Sequence, residues 1–122
     1  PEDPDRSCAE LRRALAERAG VDVAVVINDS VGRAWRLGTS GIALGVSGLP
    51  ALVDLRGRPD REGRALQVSE VAVADELAAA ASLMMGQGDE GRPIVLARGV
   101  PYGPGEGLAS DLLRPAEIDL FR

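Results

Sequence analysis

The sequence has no histidine, and because all 14 of its basic residues are arginine it has no lysine either. These two absences exclude histidine-based catalytic triads, histidine zinc sites, a phosphate-loop lysine and Schiff-base chemistry. Any chemistry of this chain must therefore use carboxylates, hydroxyls, amides, arginines and backbone groups. An oxygen-only set of ligands suits magnesium, manganese or calcium rather than zinc or copper.

Cysteine and aromatic residues are scarce as well. The single cysteine, Cys8, has no partner for an intramolecular disulfide, and the sequence shows neither a secretory signal nor a long apolar span. We therefore expect a soluble protein of the cytoplasm. Trp35, Tyr102 and Phe121 are the only aromatic residues, so the core is predicted to be aliphatic.

An excess of positive charge is also missing. The formal net charge is −5, and an acidic chain has no general attraction for nucleic acid or for an anionic membrane. Neither is expected as a partner. A polyanionic ligand would need local arginines or a metal ion in order to bind.

Periodicity and turn residues predict an α+β fold, in which a mixed β-sheet packs with helices in a single domain. Ser7 and Glu10 have the spacing of a capping box, and Gly20 is a natural helix stop. The predicted helices cover residues 7–20, about 71–85 and about 108–113, and the predicted strands cover 21–27, the segment around 42–46, 49–56, 65–69 and 93–97. The apolar runs at 21–27 and 93–97 predict strands buried on both faces.

Oxygen-bearing side chains follow the first of these buried strands. Asn28, Asp29 and Ser30 come directly after it, and Arg33 and Arg36 lie within a few residues. Hard oxygen donors beside arginines suit a divalent cation that carries phosphate. The alternative is structural, because Asp and Asn are common in turns, where their side chains bond their own backbone.

A glycine-rich turn follows the longest predicted helix. The three glycines between residues 86 and 91 expose backbone N–H groups, which is typical of a nucleotide-contacting turn. Glycine at a helix end is also an ordinary C-cap. Asp89 and Glu90 would repel phosphate unless a cation lies between them and the ligand.

Five segments of the chain carry a more specific pattern. They are residues 25–36 (VVINDSVGRAWR), 42–49 (IALGVSGL), 67–80 (QVSEVAVADELAAA), 85–99 (MGQGDEGRPIVLARG) and 111–122 (DLLRPAEIDLFR). In this order the segments resemble the C-terminal half of the coenzyme F-420 gamma-glutamyl ligase family. The resemblance implies that residues 1–122 are the C-terminal portion of a larger ligase fold, with the family's N-terminal half absent.

The resemblance implies a GTP-dependent ligase that joins L-glutamate to coenzyme F-420-0 and then adds further glutamates through γ-linkages. The reaction would pass through an acyl phosphate, since phosphoryl transfer activates a carboxylate for attack by an amine. Two Mg²⁺ or Mn²⁺ ions are implied, with K⁺ as a further candidate and GTP as co-substrate. A homodimer is implied as well.

The family's site residues map onto this sequence one by one. The aspartate that holds one metal maps to Asp29, and the hydroxyl residue and the glutamine that reach a second metal map to Ser30 and Gln87. The segment that contacts GTP maps to Met85, Gly86, Gln87, Gly88, Asp89, Glu90, Gly91 and Arg92. No catalytic residue is assigned.

The chain departs from the family pattern at several positions. Val31 stands where an aromatic residue is usual, Ala34 where proline is usual, and Gly41 where Asn or Asp is frequent. In the family, the absent half brings part of the nucleotide site and another metal-binding aspartate, and a flavin-type reductase domain would begin just beyond Arg122. The alternative function is a non-catalytic nucleotide-binding or oligomerisation domain.

Overall fold

The computed structural model describes residues 1–119, in which a long hairpin lies between two helices in the sequence. In chain order the elements are α1 (Pro4–Ala19), β1 (Val25–Arg33), β2 (Arg36–Ser47), β3 (Val53–Asp54), β4 (Glu70–Val71), α2 (Val73–Met85) and two short 3₁₀ helices (Ala109–Leu112 and Ala116–Ile118). The last three residues of the final resemblance segment, 120–122, lie outside the described residues, and Phe121 is one of them. No helix within 1–119 combines the length and the apolar character needed to cross a membrane.

The sheets confirm the α+β class and define its strand pairing. β1 pairs with β2, and β3 pairs with β4, and both pairs are antiparallel. The expected mixed sheet is thus replaced, within the described residues, by two antiparallel pairs. For β1 and β2 the reason is the connection, since only the two residues Ala34 and Trp35 join them, and a parallel pair needs a crossover of a dozen or more residues.

Helix α1 begins earlier than its sequence pattern indicates. Asp3 is the N-cap, because its carboxylate accepts a hydrogen bond from the backbone N–H of Arg6 at 3.0 Å. Ser7, the predicted cap, lies inside the helix and donates its hydroxyl to the Asp3 carbonyl at 2.9 Å. Pro4 fits the first turn, where no N–H is needed. The predicted stop is confirmed, since Gly20 adopts the left-handed conformation with φ 66°.

Helix α2 and strand β2 form the core. The buried apolar side chains are small or medium aliphatic ones, as expected from the shortage of aromatics: Ala43, Val46, Leu49, Ala51, Ala74 and Ala78. The Asp75 carboxylate accepts the backbone N–H of Ala43 at 2.9 Å and so fixes α2 against β2. On the other helix, the Asp5 carboxylate accepts the N–H of Val46 at 2.8 Å. Both helices are therefore held to β2 by carboxylates as well as by packing.

Three strand predictions need correction. The strand predicted at 21–27 begins only at Val25, runs on to Arg33 and is half-buried rather than buried on both faces. Of the segment 49–56 only Val53–Asp54 forms a regular strand, and its ladder partner is Glu70–Val71. The segment 65–69 forms no strand, although the Ser69 carbonyl accepts the backbone N–H of Leu55 at 2.9 Å. The buried strand predicted at 93–97 is wrong: the segment has no regular structure, and Ile94 is 86% exposed. An apolar run favours a strand, but a strand also needs an edge to pair with, and none within residues 1–119 pairs with this segment.

Candidate functional site

Asp29 and Ser30 lie inside β1 and not after a strand end. The ladder with β2 continues through them, with Asp29 opposite Ile42 and Ser30 opposite Gly41. A register shift immediately before Asn28 interrupts the ladder at this point. Such irregularities re-aim side chains and are frequent beside functional sites. The tertiary pairing has therefore overridden the turn propensity of Asn and Asp.

Ser30 lies on the face of the hairpin that α2 covers. A Cβ built on Gly41, its cross-strand partner, would lie 2.6 Å from the Ala78 carbonyl oxygen and 2.8 Å from the Ser82 Cβ. Opposite residues in an antiparallel pair project to the same face, so the Ser30 side chain also lies on the α2 side. Asn28, two residues earlier, agrees with this direction, because its amide donates to the Ala78 carbonyl at 3.3 Å.

Gln87 approaches the same place from the end of α2. Its Nε2 donates to the Ser82 hydroxyl at 2.9 Å, and Ser82 is the residue that abuts Gly41. Ser82 thus links Gln87 to the position opposite Ser30. Sequence reasoning did not single out Ser82. Its only local sign is a hydroxyl that follows an alanine run five residues before Gln87.

Asp29 is placed differently from these residues. Side chains alternate along a strand, so Asp29 projects to the face opposite Asn28 and Ser30, where it is exposed. Its Oδ1 accepts the backbone N–H of Ser30 at 2.7 Å. Within residues 1–119 no three acidic or cysteine side chains are grouped so that they could hold a metal ion. The metal roles of Asp29, Ser30 and Gln87 stay predictions.

The predicted GTP-contacting segment forms an exposed loop at the C-terminal end of α2. Met85 and Gly86 are half-buried, and the six residues from Gln87 to Arg92 are exposed. The guanidinium of Arg92 donates to the Met84 carbonyl at 3.3 Å. A helix C-terminus carries partial negative charge, which Arg92 offsets. Binding of a phosphate group at this loop would therefore depend on the loop N–H groups, arginine or cations. The helix dipole would not strengthen it.

Within the loop, the Glu90 carboxylate lies against the backbone. The N–H of Gly88 donates to its Oε2 at 2.8 Å. Hydrogen bonds from the backbone of Glu90 itself, Gly88 and Gln87 lower the pKa of this carboxyl below its ordinary value of 4.5. Gly86 has φ 80°, a backbone conformation that favours glycine, and a Cβ at this position would displace the Glu90 carboxylate from its present place.

A shallow cavity of about 340 Å³ adjoins the position opposite Ser30. It lies between the start of α2 and the end of the hairpin and is lined by Arg33, Ser40, Gly41, Glu70, Asp75 and Glu76 among others. No pattern in the sequence indicates this cavity, because its lining comes from four different elements that only the fold brings together. Asp75 and Glu76, adjacent on α2, had no evident shared role in the sequence.

Comparison with known proteins defines the family. The sequence model described as F420-0:Gamma-glutamyl ligase matches residues 1–99. The chain is 51% identical to the coenzyme F420:L-glutamate ligase of Methanothermobacter thermautotrophicus, over all of this chain and 49% of that protein. Against the enzyme of the same name from Methanocaldococcus jannaschii the identity is 50%, with the same two coverages. The enzyme of that name from Haloarcula marismortui is 44% identical, over all of this chain and 47% of its own length.

The matches to these relatives cover the whole chain, and the family model covers most of it. The chain belongs to the F420-0:gamma-glutamyl ligase family. Membership of this family, which the motifs indicated, is confirmed, whereas the assignment to its C-terminal half stays a prediction. The chain spans about half the length of the curated relatives that it matches, at 49% and 47% of the proteins named above.

Proposed function

We propose that this chain is the C-terminal half of a ligase that joins L-glutamate to coenzyme F-420-0 with GTP as co-substrate. The observation that carries this proposal is the match to coenzyme F420:L-glutamate ligases along the entire chain at 51% and 50% identity. The relatives are about twice as long, so the activity belongs to the whole protein. We propose that the N-terminal half completes the nucleotide site, and that the ligase is a homodimer. A reductase domain beyond Arg122 and a location in the cytoplasm stay predictions.

The chemistry follows from the weakness of a carboxylate as an acylating agent. Transfer of the γ-phosphoryl group of GTP to the acceptor carboxylate would give an acyl phosphate and GDP. The glutamate amine then attacks the carbonyl carbon, an amide C–N bond forms, a proton leaves the nitrogen, and phosphate departs with the electrons of the C–O bond. Positioning and charge neutralisation dominate such a reaction, so it needs neither histidine nor lysine in this chain.

The proposed metal residues have a donor chemistry that fits Mg²⁺ or Mn²⁺. They offer a carboxylate, a hydroxyl and an amide oxygen, all hard ligands. Gln87 uses its Nε2 on Ser82, which leaves Oε1 as the atom available to a cation. Asp29 spends Oδ1 on the backbone N–H of Ser30 and keeps Oδ2. A bound divalent cation would neutralise phosphate charge, while Ser82 would hold Gln87 in place on the α2 side of the hairpin.

The test is glutamate addition by this chain combined with the missing half of the ligase. We expect Asp29→Ala to lower turnover by about 100-fold or more, since loss of a ligand should exceed the 10–100-fold cost known for outer-shell partners. Glu17→Ala is the matched control, because Glu17 is an exposed carboxylate on α1 whose ion pair with Arg13 is long, at 3.9 Å. Undiminished turnover in Asp29→Ala would contradict the proposal.

One observation favours a second candidate, a non-catalytic nucleotide-binding or oligomerisation domain. Asp29 projects away from the face on which Ser30 and Gln87 lie, so this chain alone does not assemble the proposed ligand set. Thermal unfolding with Mn²⁺ and GDP separates the possibilities. A ligand at 100 times its Kd adds about 2.7 kcal/mol to the unfolding free energy. A raised melting midpoint without turnover supports a nucleotide-binding domain. An unchanged midpoint supports an oligomerisation domain.

A further inference from the structure

We propose that the loop at residues 86–91 carries an autoinhibitory contact, in which the Glu90 carboxylate occupies the loop's own backbone N–H groups and must leave before a phosphate can use them. This inference rests on the proposed function, because it assigns regulation to the segment proposed to contact GTP. It concerns a step that precedes catalysis, namely the vacating of an anion site. We name the backbone N–H of Gly88, which donates to Glu90 Oε2, together with the flanking N–H groups of Gln87 and Glu90 the loop cradle.

The first argument is the geometry of the cradle. Gly88 N lies 2.8 Å from Glu90 Oε2, a normal distance for a charge-assisted hydrogen bond. The Cα of Gly86 lies so close to the carboxylate that any side chain there would overlap it, and a Cβ on Gly88 would lie 3.6 Å from Oε2. The carboxylate therefore lies directly against the backbone of this loop, and the glycines permit its approach.

The second argument is the chemical equivalence of the occupant and a phosphate. Both present oxyanions to N–H donors, and consecutive backbone N–H groups in a turn form a concavity that binds anions. A carboxylate in the same loop competes at the millimolar effective concentration typical of short tethers. Phosphate binding is then weakened by the need to displace Glu90, and is restored when Glu90 is removed.

The third argument is the charge around the cradle. Asp89 is an exposed carboxylate next to Glu90, and α2 directs its negative end at the loop. Arg92 is the cation whose guanidinium is fixed to this helix end, through the Met84 carbonyl. With Glu90 in place the loop is acidic at its centre. Displacing Glu90 exchanges one anion for another at the N–H groups, so the cradle can hold only one of them.

The experiment measures pyrophosphate binding by calorimetry, with EDTA present and without nucleotide, on the chain as it stands. We expect Glu90→Ala to lower the Kd at least about tenfold relative to Asp89→Ala, which removes the same charge from the neighbouring residue without vacating the cradle. In the Glu90→Ala chain, the amide resonance of Gly88 should shift on addition of pyrophosphate. Equal Kd values for the two variants would overturn the inference, because charge alone would then explain the gain.

Absence of pyrophosphate binding by folded Glu90→Ala would also overturn the inference. If that variant does not fold, Glu90→Gln against Asp89→Asn gives the same comparison with the side chain retained and the charge removed. The assay contains neither GTP nor glutamate, so it is independent of ligation. If Glu90→Ala binds pyrophosphate more tightly but the complete ligase adds little glutamate, the proposed function alone is rejected. If the complete ligase adds glutamate normally but Glu90→Ala binds pyrophosphate no more tightly than Asp89→Ala, the autoinhibitory contact alone is rejected.

Discussion

Gly41 sets the distance between β2 and α2. A Cβ at this position would lie 2.6 Å from the Ala78 carbonyl oxygen and 3.0 Å from the Ala78 carbonyl carbon, and backbone atoms cannot rotate away. The glycine is thus a packing requirement and also positions Ser82 beside the strand.

We predict that Gly41→Ala destabilises the chain. Overpacking of this kind typically costs about 1–3 kcal/mol, because α2 must move away from β2. Urea unfolding followed by circular dichroism gives the free energy of unfolding.

Gly32→Ala is the matched control for Gly41→Ala. Gly32 lies on the partner strand β1 and has no atom within 4 Å of its Cβ position. We expect this change to stay within about 0.5 kcal/mol of the unmodified chain. Equal costs for the two substitutions would show that space around Gly41 is not what the glycine provides.

At the scale of the element, Arg12 connects α1 to two distant segments. Its Nε lies 2.8 Å from Asp22 Oδ1 and its Nη1 lies 2.6 Å from Glu106 Oε1. The second oxygen of Glu106 accepts the backbone N–H of Gly48 at 2.9 Å, just after β2 ends. The Arg12 side chain therefore holds the loop around residue 106 against both α1 and the end of the hairpin.

This cluster predicts a dependence of stability on pH. Hydrogen bonds from Arg12 and then from Gly48 lower the pKa of Glu106 below its ordinary 4.5, and Arg12 lowers the pKa of Asp22 below 3.8. A depressed pKa in the folded chain gives stability that is fully present above the unfolded value and is lost as the pH falls through the folded value. The melting temperature of Glu106→Gln should therefore lie below that of the unmodified chain near pH 7, and the difference should shrink below about pH 4.5.

Glu17→Gln controls for the loss of a surface carboxylate, since Glu17 lies on the same helix in an exposed pair with Arg13. Melting curves of both variants across the acid range make the comparison. A difference between Glu106→Gln and the unmodified chain that stays constant down to about pH 2 would show that the charge of Glu106 contributes nothing to the connection.

The helices and strands show which of their features could be predicted from the sequence. The end of α1 at Gly20 and the extent of α2 were predictable, because a left-handed glycine and an alanine-rich segment act locally. The start of α1 was not, since the capping-box spacing of Ser7 and Glu10 predicted a later start, whereas Asp3 is the cap in the fold. Strand pairing was the weakest prediction, because β1 continues through Asp29 only when β2 lies beside it.

In the candidate site, too, some features could be predicted from the sequence and others could not. Asp29 and Ser30 were singled out as oxygen donors after a predicted strand, and the resemblance added Gln87 and the metal roles. Neither source supplies geometry for this chain. The link through Ser82 and the Glu90 contact depend on the close approach of α2 to β2 and on the loop's backbone conformation. Neither has a periodic pattern in the sequence. Positions could therefore be proposed from the sequence, whereas their partners could not.

At the scale of the whole molecule, the chain keeps a small interior and a surface with many apolar side chains. Within residues 1–119, the largest side chains that are fully buried are those of Leu49, Val46 and Cys8. In contrast, Leu37 is fully exposed, and Ile94 and Leu96 are 86% and 67% exposed although their run has the composition of an interior strand. Composition alone therefore does not decide which apolar segment forms the core of this chain. What decides it is contact with β2 and α2.

This distribution predicts that the apolar run at 93–97 contributes little to the stability of the chain. We expect the double substitution Ile94→Ser and Leu96→Ser to change the free energy of unfolding by no more than about 1 kcal/mol, since exposed positions usually change it by about 0.5 kcal/mol each. Leu49→Ala, which truncates a side chain that is 1% exposed in the core, should cost about 2–5 kcal/mol. Urea unfolding measures both. If the double substitution costs as much as Leu49→Ala, the segment is packed in solution, and the original prediction of a buried strand is correct.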